Sequence, residues 1–141
     1  MPGASTSIVM DVPAKVIYDI VTDFESYPEF LPDVKNAVVT KKNKGLQAEF
    51  EISVIKTVRY TLDFSLVPNK KVTWIFVKGD LFKDNTGEWI FEEIKKGQTK
   101  VTYTVDVDFG LFVPSMITKK LVGSNLPTMM KRFKERAESL A

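Results

Sequence analysis

The chain has 141 residues, a net charge of +2, 44% hydrophobic and 27% charged residues, a balance that predicts one soluble globular domain over residues 1–141. It contains no cysteine and no histidine. That excludes disulfides and thiolate chemistry and removes the commonest metal ligand and general base, so neither a metal nor a cofactor is expected. So small a charge gives no reason to expect specific DNA binding. No export-type leader and no apolar run near the ~20 residues of a spanning helix is present, which points to the cytoplasm.

Ser5 to Asp11 is predicted as a short strand ending at Val12-Pro13. With Asp11 as N-terminal cap and proline at the start, Pro13 to Phe24 is predicted as a helix. Its apolar stripe is Val16, Ile17, Ile20, Val21 and Phe24. A short second helix or turn follows from Ser26 to Leu31. Here Tyr27-Pro28-Glu29-Phe30-Leu31-Pro32 holds three hydrophobic side chains between two prolines. Proline restricts the residue before it, so Tyr27 and Leu31 are expected in extended geometry.

Beyond Pro32 the period changes to two. Val34 to Lys42 is weakly patterned, whereas Leu46 to Val54 and Val58 to Leu66 alternate cleanly. Pro68-Asn69 marks a turn, Val72 to Val77 the next strand, and Gly87 to Ile94 and Thr99 to Phe109 the last two, joined through Lys95-Lys96-Gly97-Gln98. About six consecutive strands with short connections predict an antiparallel meander. The chain ends in a helical pattern through Met116, Ile117, Leu121, Val122, Leu126, Met129, Met130, Phe133, Ala137 and Leu140, with Pro127 expected to kink or break it.

A single antiparallel sheet needs an apolar cover for its inner face, and only the long C-terminal helix is large enough. The expectation is an α+β fold of about seven strands curved around that helix, with two short helices after the first strand. A curved sheet that fits its helix incompletely leaves a cavity.

Three segments carry a resemblance to a known superfamily: Val16-Ile17-Tyr18-Asp19-Ile20-Val21-Thr22-Asp23-Phe24 running into Tyr27-Pro28-Glu29-Phe30-Leu31-Pro32; Gly79-Asp80-Leu81-Phe82-Lys83 leading to Gly87-Glu88-Trp89-Ile90-Phe91; and Phe133-Lys134-Glu135-Arg136-Ala137. The chain resembles the START-like, helix-grip superfamily and its polyketide cyclase/dehydrase group, most of all the branch of coenzyme-Q-binding proteins and the ribosome-association toxin. The resemblance implies a cavity for a lipid, sterol, polyketide or quinone. Where that branch follows the second proline with tryptophan and cysteine, this chain has Asp33 and Val34. The departure leaves the fold untouched and detaches the segment from quinone as its particular occupant.

The candidate ligand-binding residues are Tyr27, Phe30 and Leu31 at the cavity entrance, Trp74, Phe76, Trp89, Phe91 and Tyr103 on one inner sheet face, and Met116, Ile117 and Leu121 on the last helix. Ordinary core packing accounts for the aromatic set about as readily as a ligand wall does. From Ser115 onward six basic residues face two acidic ones, a local excess of +4 that leaves −2 for the remainder. Lys131, Arg132, Lys134 and Arg136 are the candidate partner-binding residues, for a ribosome or an anionic membrane surface, with a solvated helix face as the plainer alternative. Tyrosines and strand carboxylates such as Asp63, Asp106 and Asp108 could serve a small polyketide cyclase or dehydratase. The carboxylates fall on polar strand faces, however, and no catalytic residue is assigned. Non-catalytic binding of a hydrophobic, lipid-like molecule is the leading expectation.

Overall fold

A computed structural model of the protein describes residues 3–42, 45–54, 56–80, 83–108 and 125–140. The elements run β1 (Gly3–Met10), α1 (Ala14–Thr22), a 3-10 helix (Phe24–Glu29), β2 (Val34–Lys42), β3 (Gly45–Val54), β4 (Lys56–Val67), β5 (Lys71–Gly79), β6 (Asp84–Lys95), β7 (Gln98–Asp108) and α2 (Asn125–Leu140). The strands form one antiparallel sheet in the order β1-β7-β6-β5-β4-β3-β2, a meander whose first strand folds back onto its last.

The period-two pattern decides which face is covered. On β4 the side chains of Val58, Leu62 and Phe64 are buried, as are Ala48, Phe50 and Ile52 on β3 and Trp89 and Phe91 on β6. Outward residues stay in water even when apolar: Ile75 on β5 is 59% exposed. The β4–β5 register shifts between Thr61 and Leu62, an irregularity that adds local twist and helps a sheet curl. Asn69 sits at φ 63° in the β4–β5 turn and Gly97 at φ 80° in the β6–β7 turn, a region that asparagine and glycine enter at least cost.

One core joins the elements. Helix α1 contributes Ile17, Ile20 and Val21, the 3-10 helix Phe24 and Tyr27, and α2 Met130, Phe133 and Ala137. Leu126, Met130, Phe133 and Ala137 stand three or four residues apart, so a single stripe of α2 is buried. Among the described residues no helix is long and apolar enough to cross a membrane.

Three local expectations change. Asp11 does not cap α1: its carboxylate accepts from Gln98 Nε2 at 3.1 Å, while the Ala14 amide donates to Glu93 Oε1 at 2.9 Å. The first turn is thus satisfied by a strand residue, because α1 begins against the end of β6. Tyr27 is not extended but lies inside the 3-10 helix, where its hydroxyl donates to the Val21 carbonyl at 2.5 Å. Pro127 lies inside α2, and the preceding segment, on which the expected kink or break would be read, lies outside the described residues. Leu140, assigned to the apolar stripe, is 61% exposed at the end of the helix.

Candidate functional site

Strand alternation brings large rings onto one face, and two further elements complete the set. Trp74 on β5 lies 5.4 Å from Tyr103 on β7, and Tyr103 lies 4.8 Å from Trp89 on β6, its register partner. Trp89 meets Phe133 of α2 at 4.9 Å, edge-on, and Phe133 meets Tyr27 at 5.4 Å. Tyr27 packs on Phe24 at 5.6 Å, Phe24 on Phe64 at 4.3 Å, and Phe64 returns to Trp74 at 6.0 Å. Seven rings therefore form a closed circuit running from the sheet to the C-terminal helix, through the 3-10 helix and back. Such edge and offset contacts each contribute on the order of 1 kcal/mol beyond area burial.

Of the candidate ligand residues, Trp74, Trp89 and Phe91 are buried in this core, whereas Phe76 and Tyr103 are only half-buried on the inner face. Tyr60, which packs on Phe50 at 5.5 Å, is likewise half-buried between the buried Val58 and Leu62. Trp74 is fixed by its indole N–H, which donates to Asn85 Oδ1 at 3.0 Å, a buried pair. Gly87 makes room for it: a Cβ there would stand 2.3 Å from Trp74 Cζ2 and 2.4 Å from the Thr104 carbonyl. Burial pushes Tyr60 up to about 12 and raises Tyr103 above the usual tyrosine range, with Tyr60 adding to the rise at Tyr103. Tyr27 is raised well above it, by burial first and then by Tyr103 and Tyr60. The three phenols thus stay protonated together in a poorly solvated interior.

The proline segment divides. Tyr27 and Leu31 are buried in the core, while Phe30 is half-buried, 5.1 Å from Phe133 and with the Arg136 guanidinium 5.1 Å above its ring. Met116, Ile117 and Leu121 lie outside the described residues. The basic set also divides. Lys131 and Arg132 are exposed and Lys134 half-buried, whereas Arg136 is bound to Glu29 at 2.7 Å. Two residues on a helix differ by roughly 200°, so Lys134 and Arg136 stand on opposite flanks of α2. Phe24, Phe50, Tyr60, Phe64 and Phe133 belong to the aromatic interior but were absent from the sequence-based site. The signals that could have found them are the alternation of β3 and β4 and the helical spacing of α2.

A curved seven-stranded antiparallel sheet laid against a C-terminal helix, with an aromatic interior between them, defines a START-like helix-grip domain. The chain belongs to the family described as polyketide cyclase / dehydrase and lipid transport, whose profile matches residues 10–134. It is 27% identical over 137 residues to the ribosome association toxin RatA of Pseudomonas aeruginosa, covering 95% of this chain and 94% of that protein. It is 30% identical over 127 residues to the coenzyme Q-binding protein COQ10 homolog B, mitochondrial, of Xenopus laevis, covering 89% of this chain and 50% of that one. Among solved structures, a START superfamily protein from Mycobacterium smegmatis aligns with a TM-score of 0.86 at 23% identity over 99% of both chains. The Zhui aromatase/cyclase of Streptomyces aligns with a TM-score of 0.86 at 12% identity over 97% of this chain and 93% of that one. At such identities the solved structures speak for the fold alone.

Proposed function

We propose that the protein binds a hydrophobic, lipid-like molecule between the inner face of the sheet and the C-terminal helix, and performs no chemistry on it. The observation that carries this reading is the closed aromatic circuit, with half-buried Tyr60, Phe76 and Tyr103 on the same inner face. Rings on rigid strands offer a large apolar surface at little entropic cost, and a few fixed polar groups among them orient a ligand. The family description, which includes lipid transport, and the coenzyme Q-binding relative support the same reading. Phe30, half-buried beside Phe133, is assigned to the entrance.

Native mass spectrometry of protein purified without detergent, followed by titration of delipidated protein with apolar compounds, tests the proposal. The expected results are an apolar adduct and a change in the emission of Trp74 and Trp89 on rebinding. If no adduct is retained and no member of a lipid, quinone and polyketide panel alters that emission, the reading is wrong.

A second reading is docking on the large ribosomal subunit, favoured by the exposure of Lys131 and Arg132 and by the name of the RatA relatives. Such contact would be electrostatic and salt-dependent. Charge reversal at Lys131, Arg132 and Lys134 should then abolish co-sedimentation with ribosomes, and unchanged sedimentation would remove this reading. A cytoplasmic location accompanies both.

A further inference from the structure

Tyr103 combines three properties that the rest of the aromatic interior does not. It stands on the inner face of β7 between the buried Val101 and Val105 and yet remains half-buried. Its ring is held between the chain's two tryptophans, 5.4 Å from Trp74 and 4.8 Å from Trp89. Its hydroxyl has no hydrogen-bond partner among the described residues, and burial leaves it poorly solvated. Two other polar groups of the interior are committed. Tyr27 donates to the Val21 carbonyl, and the Asn85 amide oxygen takes the Trp74 indole N–H.

We propose that the Tyr103 hydroxyl is the polar anchor of the interior, donating a hydrogen bond to a neutral carbonyl oxygen of an otherwise apolar ligand whose carbonyl end is the buried end. The inference rests on the binding reading above and adds the ligand's chemistry and orientation. A phenol donates well and accepts weakly, because its lone pair is shared with the ring, so a carbonyl is the better partner. Burial keeps the phenol protonated, and hence a donor, at any physiological pH. The described residues around it, Trp74, Trp89, Val101 and Val105, carry no charge, and an unpaired carboxylate placed there would forfeit its hydration without compensation. An anionic head group is thereby disfavoured at this end.

The test uses the full chain and three probes of equal length: a long-chain methyl ketone, the matching n-alkane and the matching fatty-acid anion. Tryptophan emission is the readout, since both tryptophans touch Tyr103. The wild type is expected to bind the ketone more tightly than the alkane or the anion. Tyr103→Phe, which keeps the ring and its packing, should weaken the ketone roughly three- to tenfold, the range of one neutral hydrogen bond, and leave the alkane unchanged. The infrared carbonyl stretch of the ketone bound to the wild type should fall relative to the free ketone in an apolar solvent, a measurement that needs no variant. Equal losses for ketone and alkane, or an unshifted carbonyl band, would overturn the anchor while the binding reading stands. If none of the three probes binds the wild type, both fall together.

Discussion

Arg136 reaches across the molecule to Glu29: its Nη2 donates to the carboxylate at 2.7 Å, joining positions 107 residues apart. The same guanidinium lies 5.1 Å above the Phe30 ring, which itself packs on Phe133 at 5.1 Å. The proline segment is therefore clasped to α2 by an ion pair, a cation over a ring and a ring-on-ring contact. Arg136, one of the candidate partner-binding residues, thus also closes the protein on itself.

The clasp has a modest, measurable strength. The Glu29 side chain is 60% exposed, so the ion pair is screened and contributes about 0.5 kcal/mol, with the cation over Phe30 adding a similar amount. Arg136→Ala should cost about 1 kcal/mol in urea denaturation. A double-mutant cycle with Glu29→Gln should give a coupling near half of that, shrinking in high salt. Zero coupling at low salt would mean that the ion pair contributes nothing in solution.

Gly87→Ala should disrupt the tryptophan wall from behind. The added Cβ would meet Trp74 Cζ2 at 2.3 Å and the Thr104 carbonyl at 2.4 Å, and the second of these is backbone that cannot rotate away. Overpacking of this kind costs about 1–3 kcal/mol. A displaced Trp74 would also loosen its bond to Asn85, so thermal unfolding should shift down together with a change in tryptophan emission. Unaltered stability and emission would show that the strands yield at no cost.

The strands and α1 were legible because each is a local pattern. Alternating apolar residues from Val58 to Leu66 and helical spacing from Val16 to Val21 placed their elements correctly, with ends shifted by a few residues. Interactions between distant segments were not legible. Nothing near Asp11 says that Glu93, 79 residues beyond Ala14, will serve the first turn of α1. The proline rule for Tyr27 was sound as a bias and lost to a buried hydroxyl bond and to rings on several sides. The site was half visible: alternation grouped Trp74, Trp89 and Tyr103, but closure of the circuit through Phe133 and Phe24 depends on how α2 and the 3-10 helix settle on the sheet.

The distant cap gives a prediction of its own. Glu93 offers both an acceptor to the Ala14 amide and a negative charge at the start of α1, where the helix dipole favours one. Glu93→Ala should cost about 1 kcal/mol, in the usual range for a lost cap, and Glu93→Gln less, since the amide oxygen still accepts. Amide exchange at Ala14 should accelerate in the alanine variant. Asp11→Ala should leave that exchange rate unchanged, because the Asp11 carboxylate bonds Gln98 and not the helix.

The buried phenols predict an alkaline limit to stability. Each has a folded-state pKa above the value of 10.0 it would have when unfolded, Tyr60 near 12 and Tyr27 and Tyr103 raised in the same direction. Below pH 10 both states hold these protons, so the phenols give stability no slope. Above it the unfolded chain releases them first, and stability falls as pH climbs through the folded-state values, by up to about 1.4 kcal/mol per pH unit for each phenol. Urea midpoints measured at intervals from pH 8 to pH 11 should therefore be level and then drop. The drop should be shallower in Tyr60→Phe and in Tyr103→Phe than in the wild type. An equally steep fall in both variants would place the alkaline sensitivity in groups other than these two tyrosines.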